Sequence, residues 1–304
     1  MPTMSETSRA YFAVAIAMVS VSFASIFIRW SASDPFVIAA YRLAFSCAML
    51  LPFMFLTGGF SGIRSFNRKE VLLVLLSGLA LTFHFGLWIV SLTLTLVSTS
   101  VILVTSHPIF VAAVSHFLLK ERVKRVAVIG ILIAFSGVAL IAISDVSEGS
   151  STILGDLMAF LGGICAGIYF LSGRVARQSV AVAPYAFSVY GISSVLLFLS
   201  GAVAGNRLLV VDSREIVLFL LLALLPTMLG HTLFNYALKK LPAHIVSTSV
   251  LGEPVGASIL AYFLLPDEVP GLWIIVGGAL VVGGLYVVLS RGYESAIVSE
   301  EPLD

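Results

Sequence analysis

Residues 108–137, PIFVAAVSHFLLKERVKRVAVIGILIAFSG, and residues 254–284, PVGASILAYFLLPDEVPGLWIIVGGALVVGG, carry one ordered pattern twice. Pro108, Glu121, Gly130 and Gly137 recur as Pro254, Glu268, Gly277 and Gly284, at an offset of 146 for the prolines and 147 for the other three. One residue has been gained between proline and carboxylate, and the chain contains an internal duplication. The residue before each proline differs: His107 in the first copy, Glu253 in the second. The best-matched part of the repeat thus sets two different ionisable groups in equivalent positions, which is where function is expected.

Both copies lie in strongly apolar sequence. Of 304 residues 59% are hydrophobic and 11% charged, against about 25% charged in soluble domains. The chain reads as an integral membrane protein. A bilayer core takes about 20 apolar residues per helix, and ten such spans are read: 11–30, 35–57, 70–90, 96–118, 126–144, 154–173, 184–205, 215–238, 243–265 and 270–290. Span 11–30 has the length of a signal peptide, but nine further spans follow, and it is read as membrane helix. Val71 to Leu119 holds no Asp, Glu, Lys or Arg, yet it is too long for one crossing at about 1.5 Å per residue, so a turn is expected near Ser91 to Thr95. Unpaired backbone in lipid is untenable, and the ten-residue alternation of an outer-membrane barrel is missing. The expected fold is all-α.

Topology follows from the basic residues. Arg9; Arg64, Arg68 and Lys69; Lys120, Arg122, Lys124 and Arg125; Arg174 and Arg177; Lys239 and Lys240; and Arg291 fall in alternate loops, thirteen of the seventeen Lys and Arg. The opposite loops hold Arg207 and Arg214, with Arg29 at a span end. Both termini are therefore expected on the cytoplasmic side of the cytoplasmic membrane. Five spans per half is an odd number, so residues 1–148 and 149–304 would be two repeats of inverted topology. Inverted halves around a site at mid-membrane are a recurring build of secondary transporters.

Span two aligns with span seven at an offset of 149, pairing Pro35 with Pro184 and Tyr41 with Tyr190. That alignment sets Arg42 against Gly191, a guanidinium about seven residues into a span where the other half has nothing. These residues, the Pro108 to Gly137 run, the segment opening Gly155-Asp156-Leu157, and the Glu253-Pro254 to Gly284 run together resemble the EamA branch of the drug/metabolite transporter superfamily, over about 280 residues. The resemblance implies ten helices in two inverted five-helix halves, a central cavity, and, as in many bacterial members, export of small metabolites or drugs. The chain departs from the family where members often carry a tryptophan-glycine step in the first span and a tryptophan in the sixth. Here Val21-Ser22 and Cys165 stand, and an aromatic wall is expected to be missing.

Arg42 is the sharpest site candidate. A charge near a helix centre costs about 2.5–3.5 kcal/mol on insertion scales, so it is expected to face a polar cavity or a partner. A guanidinium suits capture of a carboxylate or phosphate; the structural alternative is a fixed ion pair or snorkelling toward the nearer interface. Glu253 and His107 follow. Each precedes a proline, which disfavours helical geometry before it and frees the carbonyl four residues back, that of Val104 or Val250. Non-helical backbone at membrane depth is tolerated beside a cavity, and a carboxyl or imidazole there is placed to meet substrate or proton. His84 and His231, related by 147 residues, are candidate cavity histidines, with Trp88, Tyr41 and Tyr190 as aromatic companions; packing is the alternative for each. Tyr169, Tyr185 and Asn235 rank lower. Glu121 and Glu268 are read as structural, pairing with helix N-termini or cytoplasmic arginines. Asp156 is read as a helix N-terminal acid.

The sequence holds no phosphate loop, nucleophile elbow, HExxH pair or ATPase domain, so an enzyme or a primary pump is not expected. The histidines lack metal-ligand spacing, Cys47 and Cys165 likewise, and no cofactor is expected. The basic residues read as a topology signal and not a nucleic-acid patch. The expected partners are the bilayer, a small-molecule substrate and, through Glu253 or His107, protons. A zwitterion such as an amino acid would suit Arg42 with Glu253. The alternatives are a passive channel or facilitator and, with few residues outside the spans, a membrane sensor or scaffold.

Overall fold

The computed structural model of the protein describes residues 5–94, 100, 103–121, 123–145, 152–264 and 272–298, and among them every regular element is helical. The chain runs through α1 (Glu6–Val21), α2 (Ala24–Trp30), α3 (Pro35–Leu56), α4 (Gly59–Arg64), α5 (Arg68–Leu94), α6 (His107–Phe117), α7 (Arg125–Asp145), α8 (Ile153–Ala176) and α9 (Val182–Val203). It continues as α10 (Ser213–Leu222), a π-helical stretch (Ala223–His231), α11 (Thr232–Ala237), α12 (Ala243–Ser249), a 3-10 turn (Val250–Gly252), α13 (Glu253–Leu264) and α14 (Leu272–Val298). Seven helical stretches are long and apolar enough to cross a membrane, and His107–Phe117, Arg125–Gly137 and Ile275–Ser290 are shorter apolar helices. All ten apolar stretches of the sequence overlap helix.

Polar residues mark the helix starts. Ser5 Oγ, Thr152 Oγ1 and Asp212 Oδ1 accept from the backbone amides of Ser8, Gly155 and Arg214. Asn67 and Glu70 satisfy one another's amides at 3.0 and 2.9 Å before α5, a reciprocal cap. Two expectations are corrected. Helix α5 runs unbroken to Leu94, so the turn does not fall at Ser91 to Leu94; the residues that follow, 95–99, lie outside the described residues. His107 and Glu253 each open a helix, and Glu253 has helical dihedrals of φ −57 and ψ −48. A proline in a first helical turn lacks only an amide that has no intrahelical partner. The break therefore moves upstream of the residue before the proline, to Ser106 and to Val250–Gly252.

The duplicated glycines meet one another. Helices α7 and α14 pack along their length, and a Cβ on Gly130 would lie 2.9 Å from the Gly284 carbonyl oxygen. One on Gly284 would lie 2.5 Å from the Gly130 oxygen, and Gly137 packs in the same way on the Gly277 carbonyl. Small residues are what let membrane helices approach this closely. Four of the eight residues in the repeated pattern thus form one helix crossing. Glu268 lies outside the described residues.

Long-range packing otherwise joins α3 to α9, α5 to α8, α6 to α12, and α1 to the π stretch and α11. Carboxylates tie the ends. Glu70 accepts from Ser179 Oγ at 2.6 Å, beyond α8. Glu215 accepts from Ser31 Oγ, the Ala32 amide at 2.9 Å and Ser33 Oγ at 2.7 Å, beyond α2. Glu121 accepts from Arg174 Nε at 2.7 Å and from the Ala243 amide at the start of α12 at 3.2 Å, and Glu6 pairs with Lys240. Glu121 therefore holds both a helix N-terminus and an arginine.

Gly284→Ala is expected to destabilise the fold by about 1–3 kcal/mol, because the added methyl meets backbone, and to lower the melting temperature in detergent. Gly283→Ala, whose Cβ would meet nothing within 4 Å, should melt with the wild type. Equal melting of the two variants would remove this crossing as a close-packed contact.

Candidate functional site

The helix interruptions converge on one cavity. Val21 and Ala24 flank the α1–α2 break, Val104, Thr105 and His107 flank the turn at Ser106, and Val250 opens the 3-10 turn that Glu253 follows; all line it. His231, the last residue of the π stretch, lines it too. Unbroken helices contribute Arg42 from α3, His84, Phe85 and Trp88 from α5, and Tyr169 and Phe170 from α8. The cavity is about 40 Å³.

The Val104 carbonyl that the turn at Ser106 releases faces Gly163. A Cβ there would lie 2.7 Å from that oxygen and 2.9 Å from the Leu103 oxygen, so a bare glycine on α8 lets the broken segment seat directly on helix backbone. Ser106 closes the turn by donating its hydroxyl to the Leu103 carbonyl at 2.7 Å.

Arg42 is 1% exposed. Its Nε donates to Thr227 Oγ1 at 2.6 Å, and its Cζ lies 4.4 Å from the centroid of the Phe85 ring. A guanidinium over an aromatic face gains about 0.5–2 kcal/mol. Its Nη1 is buried with no hydrogen-bond partner, and among the described residues no carboxylate lies within 4.0 Å of it. Glu253 lines the same cavity, and each of the two charges feels the other's field. The fixed ion pair that sequence alone left open is therefore absent between them.

The three histidines come together. His84 lies 6.4 Å from His231 between ring centroids, and His107 stacks on Phe170 at 5.5 Å. His84 Nδ1 lies 3.1 Å from the Gly162 carbonyl; a carbonyl only accepts, so Nδ1 carries the proton and Nε2 of the neutral ring is an acceptor. His107 Nδ1, His231 Nδ1 and Trp88 Nε1 are buried without hydrogen-bond partners. No metal-ligating cluster occurs among the described residues.

Two aromatic candidates lie outside the lining. Tyr41 donates to the Leu208 carbonyl at 3.2 Å and stacks on Phe219 at 5.1 Å, a packing role. Tyr190 is fully buried one layer away, with its hydroxyl 3.0 Å from Thr232 Oγ1. Sequence reading missed Thr227, whose only signal was a hydroxyl after Pro226 within an apolar span. It also expected the aromatic wall of relatives to be missing at their tryptophan positions; Ala166 and not Cys165 lines the cavity, and Trp88 and Tyr169, both offered as pocket aromatics, line it together with Phe85, Phe170 and Phe234.

A polar chain leads away from the site. Asn235 Nδ2 donates to the Tyr169 hydroxyl at 2.6 Å, and the Asn235 carbonyl accepts from Arg177 Nε at 2.9 Å. Arg177 stands just beyond α8, and burial pushes its guanidinium down to about 10, still charged at neutral pH.

Apolar helices of membrane length surround a cavity lined by a cation, a carboxylate and aromatic rings, the build of a multi-pass membrane protein. The profile of the EamA-like transporter family matches residues 8–143 and 153–290, and the chain belongs to that family. It is a multi-pass membrane transporter. It is 24% identical over 295 residues to an uncharacterized transporter of Archaeoglobus fulgidus, covering 94% of this chain and 99% of that one. Over 196 residues it is 27% identical to a probable terminal-alkyne amino-acid exporter of Streptantibioticus cattleyicolor, covering 64% of each chain. A crystal structure at 17% identity superposes with a TM-score of 0.79, covering 94% of this chain and 98% of its own, which speaks to the fold.

Tyr41→Phe is expected to cost about 0.5–1.5 kcal/mol through one lost hydrogen bond, seen in thermal melts, with transport kinetics unchanged. A raised KM in that variant would return Tyr41 to the site.

Proposed function

We propose that the protein is a secondary transporter that moves a small zwitterionic metabolite, of the amino-acid kind, out of the cell by alternating access, coupled to protons or to exchange. The observation that carries this reading is the pair Arg42 and Glu253. They come from opposite halves of the chain, line one buried cavity and are not paired with one another. Arg42 holds the carboxylate of the ligand, and Glu253 holds its ammonium or a proton. The aromatic rings take the apolar body. A relative named as an amino-acid exporter favours the same ligand class.

The halves are 1–148 and 149–304, inverted in the membrane, with both termini cytoplasmic. The packing supports this reading, because exchanging the halves leaves it unchanged in outline. The α3–α9, α6–α12 and α7–α14 contacts map onto themselves, and α5–α8 maps onto the contact of α1 with the π stretch and α11. The carboxylates behave alike. Glu70 and Glu215 each open the third span of one half and reach the loop after the first span of the other. A ligand bridging Arg42 and Glu253 would tie the halves together, and rocking one against the other would move access from one side to the other.

Reconstituted into liposomes, the protein should show saturable counterflow of labelled amino acids. Arg42→Ala should abolish it while the protein still melts cooperatively; unaltered counterflow would take Arg42 out of the site. Transport without trans-stimulation or accumulation would make the protein a passive facilitator instead. Where uptake depends on pH, Glu253→Gln should flatten the dependence. An unchanged pH profile in that variant counts against Glu253 as the coupling group.

A further inference from the structure

Thr227 is fully buried in the π stretch Ala223–His231. Its hydroxyl makes two contacts: the Leu222 carbonyl at 2.9 Å and Arg42 Nε at 2.6 Å. A hydroxyl has one proton, a carbonyl only accepts, and a guanidinium only donates. The roles are therefore forced, with the proton on Leu222 and a lone pair on Arg42. The widened turn makes this arrangement possible. In an α-helix a threonine hydroxyl bonds back three or four residues, but here it reaches back five, and Thr232 Oγ1 repeats the reach to the Thr227 carbonyl at 3.1 Å. Single-turn π features in helices are frequent at functional sites.

We propose that Thr227 is the positioning residue of the anion site, holding Arg42 Nε so that the end-on pair of guanidinium amino groups is presented to the ligand. This rests on Arg42 as the anion holder. Two restraints fix the guanidinium plane, the Phe85 ring on its face and the Thr227 hydroxyl on its edge. The side-on fork, which needs Nε, is closed. The end-on fork, which includes the unpartnered Nη1, matches the two oxygens of a carboxylate. The first half has no such arrangement: the 147-residue offset that relates His84 to His231 sets Ala80 against Thr227 in a helix of regular α geometry. The π stretch, the hydroxyl and the guanidinium thus form one device confined to a single site.

The test uses full-length protein labelled with 15N-arginine in nanodiscs, with acetate as the anion probe. The buried Arg42 Nε–H resonance is assigned by its loss in Arg42→Gln. Thr227→Val should shift that resonance, speed its exchange with water and weaken acetate about tenfold. Thr227→Ser should restore the resonance and hold affinity within twofold. Should valine not fold, Thr227→Ala carries the same expectation. An unchanged resonance and unchanged affinity in the variant without the hydroxyl would overturn the positioning role, provided Arg42→Gln abolishes binding. Acetate binding that survives Arg42→Gln, or no acetate binding by the wild type, would instead overturn Arg42 as the anion holder.

Discussion

In hydrocarbon a backbone amide or carbonyl must find its partner inside the protein, and the architecture depends on that constraint. It makes every described regular element a helix. It also decides where helices can stop being regular. The α1–α2 break, the turn at Ser106, the 3-10 turn at Val250–Gly252 and the π stretch each place residues on the same cavity. Broken backbone is costly against lipid and tolerable against protein or a polar space. A bundle that needs irregular segments is therefore driven to gather them, and gathering them makes a pocket lined with freed polar groups.

The duplication divides labour between shared and unshared residues. What the copies share is mechanical: Gly130 and Gly137 against Gly284 and Gly277 let α7 and α14 cross backbone to backbone, and Glu121 holds the start of α12 together with Arg174. What they do not share is chemical. His107 stands where Glu253 stands, Arg42 where Gly191 stands, and a regular helix where the π stretch stands. Duplication by itself would yield a symmetric cavity. The differences between the copies give it a cation from one half of the chain and a carboxylate from the other.

Much of this was legible in the sequence because the signals were local. Apolar runs marked the helices, and the order of proline, carboxylate and glycines marked the repeat. A lone Arg42 in an apolar span had to face something polar. Other features were not local. Pro226 in the run ALLPTMLGH marks a break that frees the Leu222 carbonyl, but nothing there announces that Thr227 meets Arg42 from a helix 185 residues away. The aromatic wall was misjudged for a similar reason. Reading two positions where relatives carry tryptophan says nothing of Phe85, Phe170 and Phe234, which converge only when three helices pack. At Glu253 the steric preference against helical geometry before a proline is overridden, while the missing amide costs nothing because each proline stands in a first helical turn.

A buried guanidinium and a half-buried carboxylate that share a cavity would ordinarily close on one another, since leaving either unpaired is expensive. Here Arg42 is held back. Its edge is committed to Thr227 and its face to Phe85, so its charge is supported without collapse onto Glu253. On the proposal that Arg42 and Glu253 bind the substrate, a ligand that enters would have no ion pair to break and no side chain to immobilise, costs that otherwise reduce affinity. On the same proposal the arrangement would discriminate between ligands. A molecule with only one charge satisfies one side and leaves the other group buried and exposed to its field, whereas one with both charges at a matching separation satisfies both. On that proposal the residues that keep Arg42 and Glu253 apart are as much a part of recognition as the charges themselves.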